Sequence, residues 1–233
     1  MGSLVVITGA SSGIGLATAR AFAARERPVL AIARDEVDDP PAGVRSEVAD
    51  VTDVDALEAA IRSAEADHGP TSCLVNDAGM LDARLFRDVP PADFQREVEV
   101  NLLGTMNATS LVLDAMLEAG EGTIVNVSSV SDRRAAPAAL GYTASKTGVR
   151  AFGESLRLAH GVDGLRVINV APGYVHTRIH EGMGVTFEEY REKMGNPEFM
   201  SAEQLADVIL WCCELPPAIT VRDIEIAPTK TSY

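Results

Sequence analysis

The feature that most constrains this 233-residue chain is its alternation. Short runs rich in β-branched residues take turns with segments of helical periodicity from one end to the other. "LVVIT" (4–8) leads through a glycine-rich turn into the helical pattern "LATARAFAAR". "PVLAIA" predicts a second strand, the acidic "DEVDDPPAGV" a loop, and "RSEVAD" a short third strand. A helix over 53–68 follows, with Asp53 as its cap. "SCLVNDAG", "GTIVNVSS", "LRVINVAPG" and "VRDIEIAP" supply four further strands. Between them lie a long helical stretch over 91–120, a helix from Tyr142 to His160, and a capped helix over 201–215. Apolar strands separated by helices predict a mostly parallel sheet covered on both faces. The expectation is one α/β domain over 1–233, a doubly wound sheet of about seven strands. The one long irregular stretch, 173–200, reads as a substrate loop.

Composition narrows the function classes. Hydrophobic residues make up 46% and charged residues 23%, the balance of a globular protein. The net charge of −14, with no basic stripe, argues against nucleic acid and anionic membranes as partners. No run reaches about 18 apolar residues, and no basic segment precedes "LVVITGA", so neither a membrane span nor a signal peptide is expected. The three cysteines, Cys73, Cys212 and Cys213, are odd in number and two are adjacent. That usage fits a reduced, cytoplasmic setting. The histidines are not at metal-ligand spacing with them, so no metal site is expected.

"TGASSGIG" (8–15) lies between the first strand and the first helix. Gly9, Gly13 and Gly15 allow a tight turn and close approach of backbone to ligand. The helix start offers N–H groups and a positive dipole end to phosphate oxygens. Ser11, Ser12 and Ile14 complete this expected dinucleotide cradle. The second strand ends in "AIAR": Ala33 stands where a ribose-gripping carboxylate would, and Arg34 follows. A guanidinium suits a 2′-phosphate, which favours NADP(H) over NAD(H).

These motifs, with "NDAG", "NVSS", "YTASK" and "PG" in this order, resemble the short-chain dehydrogenase/reductase family over nearly the whole chain. The resemblance implies a single Rossmann-type domain with a seven-stranded parallel sheet and a catalytic set of Asn101, Ser129, Tyr142 and Lys146. Ser128 is the fallback for the serine. It also implies cofactor contacts from Asp50 and Val51 to the adenine, and from Asn76, Ala78 and Gly79 on the adenosine ribose side. Pro172 and Gly173 form the "PG" turn, and Val175 and Thr177 would hold the nicotinamide carboxamide. Asp77 departs from the family, which more often has a second asparagine there. The C-terminal "LWCCELPPAITVRDIEIAPTKTSY" resembles bacterial NADP-dependent 3-hydroxy acid (serine-type) dehydrogenases, which makes a hydroxy acid a candidate substrate.

The chemistry is consistent with such a reaction. Reducing a carbonyl needs a proton on oxygen as well as a hydride on carbon. Lowering a phenol by three pKa units from about 10 costs about 4 kcal/mol. A cation about 4 Å away at an effective dielectric near 20 provides about that much. Tyr142 and Lys146, at i and i+4, share a helix face. Ser129 would steady charge on the substrate oxygen. Asn101 would hold a water linking Lys146 to solvent. Ala144, Gly148, Ala151 and Ser155 form a small-residue stripe, read either as packing or as a homo-oligomer contact, tetramer or dimer. The leading function is oxidation or reduction of a small secondary alcohol or ketone. A cofactor-sensing binding protein on the same fold is the alternative.

Overall fold

The computed structural model describes residues 3–37 and 40–231. Asp38 and Asp39 of the predicted acidic loop, and Ser232 and Tyr233 of the C-terminal motif, lie outside the described residues. Seven strands form one parallel sheet in the order β3-β2-β1-β4-β5-β6-β7. They are β1 Leu4–Thr8, β2 Val29–Ala33, β3 Val44–Val48, β4 Thr71–Asn76, β5 Gly122–Val127, β6 Leu165–Pro172 and β7 Asp223–Ile226. β1 and β2 are buried at every position, whereas the edge strands β3 and β7 are partly exposed. This is why the central strands read as unbroken apolar runs.

Alternation along each strand splits the core in two. Val5 and Ile7 face the helices α1 (Gly13–Ala23) and α7 (Ala202–Glu214), packing with Phe22, Leu205 and Ile209. Leu4 and Val6 face the opposite way, toward α2 (Val54–His68) and α4 (Gly104–Ala119), with Leu57, Ile61, Val112 and Met116. The chain winds outward from β1 to β3 and then crosses to β4. The chain leaves β1 toward α1 on one face and leaves its neighbour β4 toward α4 on the other, which opens a crevice beyond these strand ends.

The predicted caps form. Asp53 accepts the Ala56 N–H at 3.1 Å, and Ser201 and Gln204 make a reciprocal capping box. The long helical stretch resolves into α3 (Pro91–Val98), a π-helical turn over Glu99–Leu103, and α4. Together, Pro91–Ala119 is long and apolar enough to cross a membrane by length and composition; here α4 turns Val112 and Met116 into the core. The segment 173–200 is more ordered than its irregular sequence suggests. It holds a 3-10 turn over Ile179–Met183 and α6 (Phe187–Lys193), started by a capping box between Thr186 and Glu189. His176, Phe187, Tyr190 and Phe199 cluster beneath it. The pattern Thr-x-x-Glu carried this signal in the sequence. Cys73 on β4 and Cys213 on α7 bring their sulfurs to 3.8 Å as free thiols.

Gly104 shows how tightly α4 meets the crevice edge. A Cβ there would lie 2.4 Å from the buried Val51 Cγ2. Alanine is intrinsically better than glycine in a helix by about 1 kcal/mol, but overpacking a stiff β-branched neighbour costs about 1–3 kcal/mol. The net cost is about 1 kcal/mol, and Gly104→Ala is therefore expected to lower the melting temperature by about 2–4 °C, measured by calorimetry. An unchanged or raised value would show that Val51 yields freely.

Candidate active site

A cleft of about 700 Å³ opens at the C-terminal ends of the strands. The glycine loop lines it through Gly9, Ser11, Ser12, Gly13 and Ile14. Arg34, Asp50, Val51, Ala78 and Gly79 also line it, as do Pro172, Gly173, Val175 and Thr177. Ser129, Tyr142 and Lys146 line it too and lie together. Three predicted residues stand behind the wall instead. Gly15 packs against the loop, where a Cβ would meet the Gly9 carbonyl at 2.5 Å. Asn76 turns into the core, donating to Asn126 Oδ1 at 2.9 Å and Thr109 Oγ1 at 3.3 Å. Its placement on the ribose side is thus corrected: strand alternation sends this side chain toward α4. Asn101 is fully buried in the π-helical turn, not a surface residue. Its amide locks onto both backbone groups of Met80, at 2.8 and 3.0 Å, and donates to Ser145 Oγ at 3.0 Å.

The loop fits a dinucleotide on its own geometry. Gly9 has φ +69°, and a Cβ there would lie 2.7 Å from the Ala78 N. Only glycine lets β1's turn approach β4's turn so closely. Ser12, the N-cap of α1, makes no side-chain cap, which leaves the N–H groups of the cleft-lining Gly13 and Ile14 without a cap from it. β2 ends in Ala33 without a carboxylate, while Arg34 is exposed on the rim with Asp35 beside it. Asp50 is engaged by Thr52 and Arg96. Burial opposes ionisation of its carboxyl, but those partners hold it below the usual range. Among the described residues, no group of three His, Cys, Asp or Glu could hold a metal.

At the centre, α5 (Leu140–His160) carries Tyr142 and Lys146. The Lys146 ammonium is buried and donates to the Val127 carbonyl at 2.8 Å. Burial pulls its pKa down to about 8, against the fields of Asp77, Asp132 and Glu97. Its nitrogen lies 5.7 Å from the Tyr142 ring centroid. Burial pushes the phenol well above its ordinary range; the Ser129 hydrogen bond opposes this, and Tyr190, Asp77 and Glu97 add to it. The expectation of a phenol acidified by its lysine meets an opposing influence here, because desolvation and the nearby acids favour the protonated phenol. Ser129, not Ser128, faces the phenol: Ser128 donates to Asp132.

The sequence reading missed Glu97, Asp132 and Tyr190. Glu97 lies four residues before Asn101, and that spacing placed it on the same inward helix face. Asp132 is fixed by Arg133, Ser128 and Asn169, and these bonds outweigh the burial that raises its pKa. From the segment 173–200, Tyr174, Arg178, Tyr190 and Met194 also line the cleft.

Asp77 interacts with the Gly15 N–H in the uncapped first turn of α1. Burial raises its pKa to about 7, with Lys146 and the Gly15 N–H opposing. The folded pKa exceeds the unfolded one, so the native state binds this proton more tightly. The stability it contributes is full below about pH 4 and is lost as pH rises through about 7. Asp77→Asn is expected to flatten the fall in melting temperature between about pH 5 and 8 relative to the parent. Parallel slopes in thermal melts would contradict the shift.

A family profile described as short chain dehydrogenase matches residues 3–185. Sulfoacetaldehyde reductase 2 of Chromohalobacter salexigens is 31% identical over 248 residues, covering 100% of this chain and 97% of that protein. A glycine betaine reductase of Emericella nidulans is 31% identical over 239 residues; 97% of this chain spans only 19% of it. Among solved structures, the closed form of serine dehydrogenase complexed with NADP+ superposes with a TM-score of 0.92 at 25% identity, covering 99% of this chain and 96% of that one. With the sheet order, the glycine cradle and the Tyr142–Lys146 pair in place, the chain belongs to the short-chain dehydrogenase family and is an oxidoreductase by that membership.

Proposed function

We propose that this chain is an NADP(H)-dependent oxidoreductase that interconverts a small hydroxy acid, or a similar anionic alcohol, with its carbonyl form. The observation that carries this reading is the meeting of Ser129, Tyr142 and Lys146 on the cleft floor beside the glycine cradle. Arg34 on the rim, with no carboxylate ending β2, supports the 2′-phosphate. The similarity to a solved serine dehydrogenase complexed with NADP+ adds to it. NADPH, when bound, would supply the hydride. Ser129 holds the substrate oxygen, and Tyr142 passes it a proton from a phenol that is neutral at neutral pH. Lys146 stabilises the phenolate left behind. Asn101 fixes the Met80 backbone and, in this reading, a water path to Lys146. The raised phenol favours the donating role, hence reduction.

The segment 173–200 serves as substrate lid over the single domain. Arg178 lines the cleft and pairs with Glu181 at 2.8 Å, whereas Arg191 pairs with Glu188 and does not line it. An acidic substrate group would compete with Glu181 for Arg178. The names of similar proteins (a sulfoacetaldehyde reductase, a glycine betaine reductase and a serine dehydrogenase) point the same way. Leu158 is exposed on the same helix as the small-residue stripe, and Leu103 and Met106 are exposed apolar residues as well, which suits a homo-oligomer. Gly148 of that stripe instead packs on Leu102 within the chain.

Purified protein is expected to consume NADPH with small keto acids or anionic aldehydes. Tyr142→Phe is expected to lose about 10²–10⁴-fold in turnover and to keep NADPH affinity within about threefold, read by cofactor absorbance and fluorescence titration. Binding without consumption across the panel would favour the sensor. Arg178→Met is expected to raise KM for anionic substrates about tenfold, with little change for neutral ketones. Equal effects on both would remove Arg178 as the acid reader.

A further inference from the structure

The helix that carries Tyr142 and Lys146 begins without a cap of its own. Its N-cap position is Ala139, in the left-handed region with φ 66°, and it makes no side-chain cap. Leu140 is exposed, but Gly141 and Tyr142 behind it are half-buried, and an N–H group there that water does not reach needs an acceptor. A carboxylate arrives from another element. Glu97 is the buried residue of α3, with 1% exposure. Its Oε1 accepts the Asp82 N–H at 2.9 Å, in the segment whose Met80, Leu81 and Ala83 line the cleft. Its Oε2 lies so close to the α5 first turn that a Cβ on Gly141 would sit 2.3 Å from it. The Tyr142 N–H interacts with the same carboxylate and stabilises its charged form.

We propose that Glu97 is a positioning residue: its carboxylate caps α5 from outside and ties the cleft-lining segment at Asp82 to the turn that presents the Tyr142 phenol. The inference rests on the reading of Tyr142 as proton donor given above. Glycine at 141 follows from it, because any side chain there would displace the carboxylate. A negative group at the start of α5 also acts on the site electrostatically. The charged and titratable groups facing it are Asp82 with its partner Arg84, Lys146, and Tyr142 itself. Burial raises the Glu97 carboxyl to about 7; the Asp82 charge adds to this, while the two N–H groups and Lys146 oppose it. When ionised it disfavours the Tyr142 phenolate, so removing its charge eases phenol ionisation.

Glu97→Gln, Glu97→Ala, Gly141→Ala and the Glu97→Ala/Gly141→Ala double variant test this with NADPH and the best substrate of the panel. Glu97→Gln is expected to lower kcat about tenfold while KM for NADPH stays within about twofold. The limb of the pH–rate profile set by Tyr142 is expected to move down by about half a unit. Hydrogen exchange over 140–146, read by mass spectrometry, is expected to accelerate. Gly141→Ala should act in the same direction despite alanine's better helix propensity, and the double variant should lose less than the sum of the singles. Parent-like kcat, an unmoved pH limb and unchanged exchange in Glu97→Gln would overturn the proposal, whatever the change in melting temperature. If the parent turns over nothing, the functional reading fails and the exchange experiment alone decides: lost protection keeps the cap, unchanged protection removes it.

Discussion

Burial of the Lys146 ammonium organises everything around it. A cation out of water must find compensation, and one hydrogen bond to the Val127 carbonyl is too little. The rest comes from three acids on three separate elements: Asp77 after β4, Glu97 on α3 and Asp132 after β5. Those elements are held at one edge of the sheet by the parallel strand order, with β4 and β5 adjacent. The phenol above the lysine then lies in a dry, net acidic environment and keeps its proton. In the proposed reading of Tyr142 as proton donor, its protonation follows from the balance of burial against charge, not from the lysine alone.

Two of those acids also serve as caps. Asp77 answers the uncapped start of α1, and Glu97 the uncapped start of α5. In each case a helix needed at the cleft begins without a competent residue of its own, and a distant carboxylate supplies the acceptor. The first helix start borders the glycine cradle and the second carries Tyr142, the proposed proton donor. Fold and site are thus linked by the same few side chains. Asp77 looked like a small departure from the family's asparagine; its carboxyl couples the phosphate-facing turn to the lysine.

Much of this was legible in the sequence. β1 coincides with "LVVIT", and the Asp53 and Ser201 caps form where their patterns placed them. The glycine cradle and the Tyr142–Lys146 spacing needed only local chemistry. What was hidden depends on three-dimensional burial. Asn76 reads like a turn residue but faces α4, and Asn101 reads like a tolerated polar residue yet is sealed in a π-helical turn. Glu97 sits in a strongly charged stretch, "REVEV", where nothing but its i, i+4 relation to Asn101 marks it as interior. The upward push of burial on the Tyr142 phenol was hidden for the same reason: charge pairing can be read from spacing, whereas desolvation cannot. The helix within 173–200 was available from its capping box.

The central claim is that burial and surrounding acids, not Lys146, set the protonation of Tyr142. Ultraviolet difference titration of the cofactor-free protein against Tyr142→Phe isolates this phenol. The account predicts that its tyrosinate signal appears only above about pH 10, the ordinary phenol value. A signal developing at or below about pH 8–9 would contradict it and restore the lysine as the dominant influence.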